Sequence, residues 1–217
     1  MNTIHFTDGL SFTPSKIICV GRNYAKHIEE MKSERTASPV LFLKPNSALC
    51  DLDKPIKIPT GWGAVHHEVE LALCIGQKCS KLNEEQVMDA VAGFGLALDL
   101  TLRDLQSAAK KAGLPWAVAK GFDGACPVST FVPKEKVPDP QKLRLSLKVN
   151  GETKQDGNTS HMLFPIPELV AYISRFFTLE PGDLILTGTP AGVGPLHPGD
   201  EIEAEIETVA KVKTKCV

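Results

Sequence analysis

Apolar residues fall along this chain in short runs broken by glycine, proline and polar positions, and the runs alternate more often than they recur with helical spacing. Residues 16–20 read as a strand ending at Gly21, and residues 24–31 as a helix with Asn23 as its N-cap. Residues 40–43 form another apolar run, followed by a turn at Lys44-Pro45-Asn46. The Pro- and Gly-rich stretch 51–63 reads as loop. Residues 68–75 alternate like a strand, 84–92 suit a short helix, 93–98 are apolar and buried, and 103–112 are helical. Asn150-Gly151 predicts a type I′ hairpin between residues 143–149 and the segment that follows, because that turn needs positive φ at both central residues. Residues 167–177 form a helix with Pro167 at its start. Strands at 184–186 and 201–212 flank a Gly- and Pro-rich loop. Strands outnumber helices and no regular βαβ alternation is present, so the pattern predicts a mixed α+β fold with a bent or barrel-like sheet and a few peripheral helices.

Composition narrows this without changing it. The 217 residues, 42% hydrophobic and 23% charged, suit one domain with a sizeable core, residues 1–15 being at most a short N-terminal extension. The net charge is −2, and the basic residues are scattered with only Lys110-Lys111 adjacent, which argues against nucleic acid or an anionic membrane surface as partner. No apolar run is long enough to span a bilayer, and residues 1–15 lack a signal or transit pattern, so the expected compartment is the cytoplasm. The six cysteines include no Cys-x-x-Cys pair and are expected as buried or free thiols, Cys19 and Cys74 packing within strands.

The candidate chemistry sits in His66-His67-Glu68-Val69-Glu70-Leu71. On a strand Glu68 and Glu70 point to one side, and Val69, Leu71, Leu73 and Ile75 make a core face on the other. This stretch alone reads as an exposed acidic face or, because the Glu side continues with Ala72 and Cys74, as the floor of a pocket. Asp99 closes the apolar run 94–98; it reads equally as an N-cap for a helix starting near Leu102 or as a buried carboxylate in need of a partner. Three converging carboxylates require a cation, and all-oxygen ligation favours Mg²⁺, with Mn²⁺ or Ca²⁺ as substitutes, over zinc. One of His66 and His67 could complete a mixed site, but neighbours on a strand cannot both do so.

Gly21-Arg22-Asn23-Tyr24 with His27, Leu43-Lys44-Pro45, His67-Glu68-Val69-Glu70-Leu71, Asp99-Leu100-Thr101, Lys120-Gly121-Phe122-Asp123, Asn150-Gly151 and the run 186–194 (Leu-Thr-Gly-Thr-Pro-Ala-Gly-Val-Gly) occur in one order from about residue 16 to the C-terminus. In these blocks the chain resembles the fumarylacetoacetate hydrolase family, specifically its short branch of acylpyruvate hydrolases and oxaloacetate decarboxylases or tautomerases. The resemblance implies a mixed β-roll, usually a homodimer, with Mg²⁺ or Mn²⁺ on Glu68, Glu70 and Asp99. It favours a base dyad of His27 and Glu30 on a lid helix over the surface pair that their three-residue spacing also allows. It puts Lys120 in the site as counter-charge and enolate stabiliser, and Gln106 and Arg103 near it, although their shared helix face equally suits a surface role. The loop at Gly188 and Thr189 could grip a carboxylate through backbone N–H groups and the Thr189 hydroxyl, and Arg22 could hold an acid group.

The implied substrate is a small 2-oxo or 2,4-dioxo acid handled through a metal-stabilised enolate. Acylpyruvate hydrolysis or oxaloacetate decarboxylation leads; oxaloacetate tautomerisation and oxo-dienoate isomerisation or hydration are alternatives on the same site. An alternative of another class is a dicarboxylate- or oxalate-binding protein without turnover.

Overall fold

The apolar runs assemble into a curled, half-barrel sheet of eight strands in a computed structural model that describes residues 1–217. Seven strands follow one path: Val40–Lys44, Ile17–Gly21, Leu184–Leu186, Val69–Ile75, Val91–Leu98, Cys126–Val128 and Leu49–Asp51; Val132–Pro133 also pairs with Val91–Leu98. The sheet is mixed, since Leu184–Leu186 runs parallel to Ile17–Gly21 and antiparallel to Val69–Ile75.

Alternation along Val69–Ile75 sorts its residues between two cores. Val69, Leu71, Leu73 and Ile75 join a cluster of 39 buried residues, while Ala72 and Cys74 join a second cluster of 15 with Ile4, Phe6 and Phe131. A sheet covered on both faces needs near-continuous apolar strands, and each large buried side chain contributes roughly 1.5–3 kcal/mol. The small residues beside Glu70 thus pack under a second core. The N-terminal residues supply part of that cover, with the rings of Phe6 and Phe131 5.5 Å apart.

The larger core is closed by a four-stranded antiparallel sheet, ordered Glu152–Asn158, Arg144–Val149, Glu201–Ile206 and Ala210–Lys215. Asn150 and Gly151 turn its first hairpin at φ 52° and 79°, as a type I′ turn requires. A three-stranded sheet of Gly194–Leu196, Val65–His67 and Thr101–Leu102 lies next to the point where Glu68 enters the fold. Five helices are peripheral: α1 (Ala25–Glu30), α2 (Val87–Ala90), α3 (Arg103–Ala112), α4 (Ala117–Lys120) and α5 (Ile166–Phe176). None is long and apolar enough to cross a membrane. All six cysteines are free, and Cys19 and Cys74 are buried in strands.

Several local expectations are corrected. Asn23 does not cap α1: the cap is Tyr24, without a side-chain bond, and Asn23 instead donates to the carbonyls of Phe164 and Thr187 and accepts from the Phe164 N–H. The helix expected over 84–92 is a single 3₁₀ turn plus α2, ending at Ala90 because the β-branched Val91 opens a strand. Glu68 stands in a break between two strands rather than inside one. The strands Leu49–Asp51 and Gly194–Leu196 fall where only loop or turn was expected; both are fixed by partners far away in the chain.

Candidate metal centre

The antiparallel register of the two longest central strands builds the site. Val69 pairs with Leu98, so Glu68 lies across from Asp99, and the Asp99 N–H donates to the Glu68 carbonyl at 2.8 Å. Glu70 follows two residues on, opposite Ala97. One carboxylate oxygen from each of Glu68, Glu70 and Asp99 lies within 4.8 Å of the others, and all three residues are buried. The N-cap alternative for Asp99 is excluded, since α3 is capped by Leu102.

Three buried cations face these carboxylates. Lys120 Nζ bridges Glu68 Oε2 at 2.8 Å and Asp99 Oδ2 at 2.6 Å. Arg103 pairs with Glu68 Oε1 and donates to Gln106 Oε1 at 2.6 Å. Lys44, 1% exposed, places Nζ 2.7 Å from Asp99 Oδ1 and donates to the carbonyls of Leu100, Lys120 and Ala125. Burial raises the Glu68 carboxyl, but Lys120 and Arg103 outweigh it and hold Glu68 well below the usual range. Burial likewise works against the Lys120 ammonium, yet Asp99 and Glu68 push its pKa above that of an ordinary lysine. Glu70 differs: burial, then the charges of Asp99 and Glu68, drive its pKa well upward, and its Oε2 has only the Gly188 N–H, at 2.7 Å.

This donor set fits a hard divalent cation. All its ligand atoms are carboxylate oxygens, Glu70 carries no cationic partner, and Asp99 Oδ1 is buried without a hydrogen bond despite the nearby lysine. Neither histidine joins the cluster. His67 Nδ1 is 2.9 Å from Gln155 Oε1, and His66 is pulled down to about 4 by burial and Arg103.

The remaining expected residues divide in two. His27, Arg22, Gln106 and Thr189 line the cavity above the carboxylates with Phe42, Lys110 and Trp116. His27 Nδ1 lies 3.2 Å from Glu30 Oε2, and Glu30 Oε1 accepts from the Gly192 N–H at 3.0 Å. Gly192 sits at φ 100°, where a Cβ would stand 1.8 Å from the Lys154 carbonyl, so only glycine lets this loop approach and hold Glu30. Two donors of the expected Gly188–Thr189 grip on a substrate carboxylate are engaged within the protein, while Thr189 itself lines the cavity. The Gly188 N–H is engaged by Glu70, and the Thr189 hydroxyl donates to the Val69 carbonyl while accepting from Gln155, each at 2.8 Å. These donors brace the site's walls. Sequence reasoning gave no role to Lys44, which it noted only within the block Leu43-Lys44-Pro45, and passed over Lys110, which looks like an ordinary charge in the last turn of α3.

Residues 16–217 match the family described as fumarylacetoacetate (FAA) hydrolase C-terminal. The chain is 57% identical over 194 residues to oxaloacetate tautomerase YcgM of Escherichia coli, covering 89% of each protein. It is 53% identical over 199 residues to the mitochondrial oxaloacetate tautomerase FAHD1 of Bos taurus, covering 92% of this chain and 90% of the relative. Among solved structures it superposes on fumarylpyruvate hydrolase from Pseudomonas aeruginosa, determined in complex with Mn²⁺ and pyruvate, with a TM-score of 0.95 at 33% identity, covering 100% of this chain and 95% of that one.

Proposed function

The chain belongs to the fumarylacetoacetate hydrolase family, and from that premise we propose that it is a Mg²⁺- or Mn²⁺-dependent tautomerase interconverting the keto and enol forms of oxaloacetate. The observation that carries the reading is the buried triad of Glu68, Glu70 and Asp99 in which Glu70 lacks a cationic partner. A divalent ion held by these three residues would supply Lewis-acid stabilisation of negative charge developing on the 2-oxo oxygen. Three carboxylates face three cations, Lys44, Arg103 and Lys120, so an added divalent ion leaves the site two charges positive, which suits a dianionic oxo acid. The similarity to two oxaloacetate tautomerases moves the lead from C–C cleavage, which the sequence alone favours, to proton transfer.

In tautomerisation the C3–H bond breaks with its proton passing to a base, its electron pair forms the C2–C3 double bond, the C2=O π pair moves to the oxo oxygen, and that oxygen takes up a proton from solvent in exchange for the one lost from C3. Lys120, which bridges Asp99 and Glu68, would supply positive charge beside that oxygen. With His27 Nδ1 engaged by Glu30, Nε2 is the ring nitrogen free to take the C3 proton. Hydrolysis of an acylpyruvate is the second reading; it is favoured by the same His27–Glu30 pair, which could instead activate water, and by the similarity to a fumarylpyruvate hydrolase. The homodimer and the cytoplasmic setting remain part of the proposal.

The test follows decay of enol-oxaloacetate by its ultraviolet absorbance, using metal-stripped protein with and without Mg²⁺ or Mn²⁺, while pyruvate release from oxaloacetate and acetylpyruvate is assayed in parallel. Metal-dependent relaxation that outruns pyruvate release is expected. Pyruvate formed from either acid faster than the tautomers interconvert would replace this reading with the lyase or hydrolase one. His27→Ala should slow the reaction about 10²-fold while leaving Mn²⁺ affinity unchanged, as measured by calorimetry; loss of Mn²⁺ affinity as well would make His27 a structural residue.

A further inference from the structure

On the outer wall of the same cavity, two cations have no acid to answer. Arg103, Gln106 and Lys110 occupy one face of α3 at spacings of three and four. The first reaches Glu68, and the last lies two turns farther from the carboxylates, its Nζ 5.2 Å from the centroid of the Trp116 ring. Trp116 is in turn packed on Phe42, with ring centroids 5.8 Å apart. Lys110 forms no ion pair and no hydrogen bond with the protein; its neighbour Lys111 is the one that points to solvent. Arg22 enters the cavity from the end of the strand Ile17–Gly21 at φ 64°, a left-handed conformation uncommon for arginine. Its Nη1 reaches only the Glu34 carbonyl, at 3.3 Å, and its Nε is buried without a partner. Burial, then the charges of Arg103 and Arg22, depress the Lys110 ammonium, so these cations crowd one another in a half-buried space.

We infer that Lys110, seated on Trp116, and Arg22 together form a second anion subsite that takes the distal carboxylate of a dicarboxylic 2-oxo acid and so selects dianions over monoanions. The crowding of like charges is unfavourable in the free protein and is relieved when a carboxylate enters. Lys110, Arg22 and the three carboxylates line one continuous cavity, so a single diacid with its oxo-acid end at the carboxylate cluster has its distal carboxylate on the side of these two cations. The flat indole fixes the lysine stem, so the ammonium is already in place before binding. This subsite rests on the reading of Glu68, Glu70 and Asp99 as the oxo-acid end.

The probes are L-malate and L-lactate, 2-hydroxy acids that differ only in the distal carboxylate, titrated calorimetrically into Mn²⁺-loaded protein. Malate should bind the parent about tenfold tighter than lactate, a gain typical of one charge-assisted contact. Lys110→Met should bring the ratio close to one, and Lys110→Arg should restore most of it. Equal affinities in the parent, failure of the parent to bind malate, or a ratio that survives Lys110→Met overturns the subsite. Enol decay is read on the same samples: if it stays metal-dependent while the malate preference is absent, only the subsite fails. If the parent shows no metal-dependent turnover, the underlying reading fails with it.

Discussion

Glu70→Gln is expected to cut metal-dependent turnover by about 10³-fold, the loss of roughly 4 kcal/mol of electrostatic stabilisation, while the metal-free variant stays folded and becomes more stable than the parent at neutral pH. Glu70 is the cluster member whose charge no side chain answers; its Oε2 rests on the Gly188 N–H, which the carbonyl of glutamine accepts equally well. Substitution at Glu68 or Asp99 would also leave Arg103, Lys120 or Lys44 unmatched, so Glu70 is the position where ligand loss is separable from damage to the ion-pair network. The sign of the pH effect follows from the direction of its shift. A carboxyl whose folded pKa is raised keeps a proton that the unfolded chain releases, so stability falls as pH rises above the ordinary carboxyl value, about 4.5, towards the raised one. Glutamine removes that loss. Melting curves of metal-stripped parent and variant should coincide near about pH 4 and separate, with the variant higher, towards about pH 8. Saturating Mn²⁺ should reverse the order, because only the parent binds it tightly. An unchanged Mn²⁺ affinity in the variant would remove Glu70 from the ligand set.

What the sequence made legible was what depends on short-range order. Alternation over 68–75 separates Glu70 from Val69, Leu71, Leu73 and Ile75, and the hairpin at Asn150-Gly151 follows from its two positive φ angles. The convergence of Asp99 with Glu68 depends on a strand register of Val69 opposite Leu98, a long-range choice that no local pattern encodes; the motif resemblance supplied it instead. Asn23 failed as a cap for the same reason: its partners, Phe164 and Thr187, lie 141 and 164 residues away. Gly188 and Thr189 suggest an anion-binding loop because N–H groups left exposed after a strand can grip an anion, and the engagement of the Gly188 N–H by Glu70 and of the Thr189 hydroxyl by the Val69 carbonyl depends on contacts across the sheet that no local pattern encodes. Lys44 was hardest to see, since a single lysine at the end of an apolar strand is ordinarily solvated.

Buried instead, Lys44 makes the largest stability prediction. Lys44→Met keeps the length and apolar stem of the side chain but leaves Asp99 Oδ1 without its cation, Lys120 remaining on Oδ2, and the carbonyls of Leu100, Lys120 and Ala125 without a donor. Removing one partner from a buried charge pair costs about 3–5 kcal/mol, which for a chain of this size lowers the melting temperature by roughly 6–20 °C. The contacts of Lys44 also explain why turnover should fall along with stability. Through one ammonium they fix a metal ligand, the backbone of Lys120 at the end of α4, and the segment before Cys126, so their loss loosens Lys120 relative to Asp99. Mn²⁺ should recover part of the loss, because a bound cation compensates the Asp99 charge, but not all of it, because the three carbonyls remain unpaired. Urea unfolding of parent and variant, each with EDTA and with Mn²⁺, separates the two contributions. A variant within about 1 kcal/mol of the parent in EDTA would mean that water enters to replace the ammonium, and that Lys44 is not the internal tie between Asp99 and Lys120.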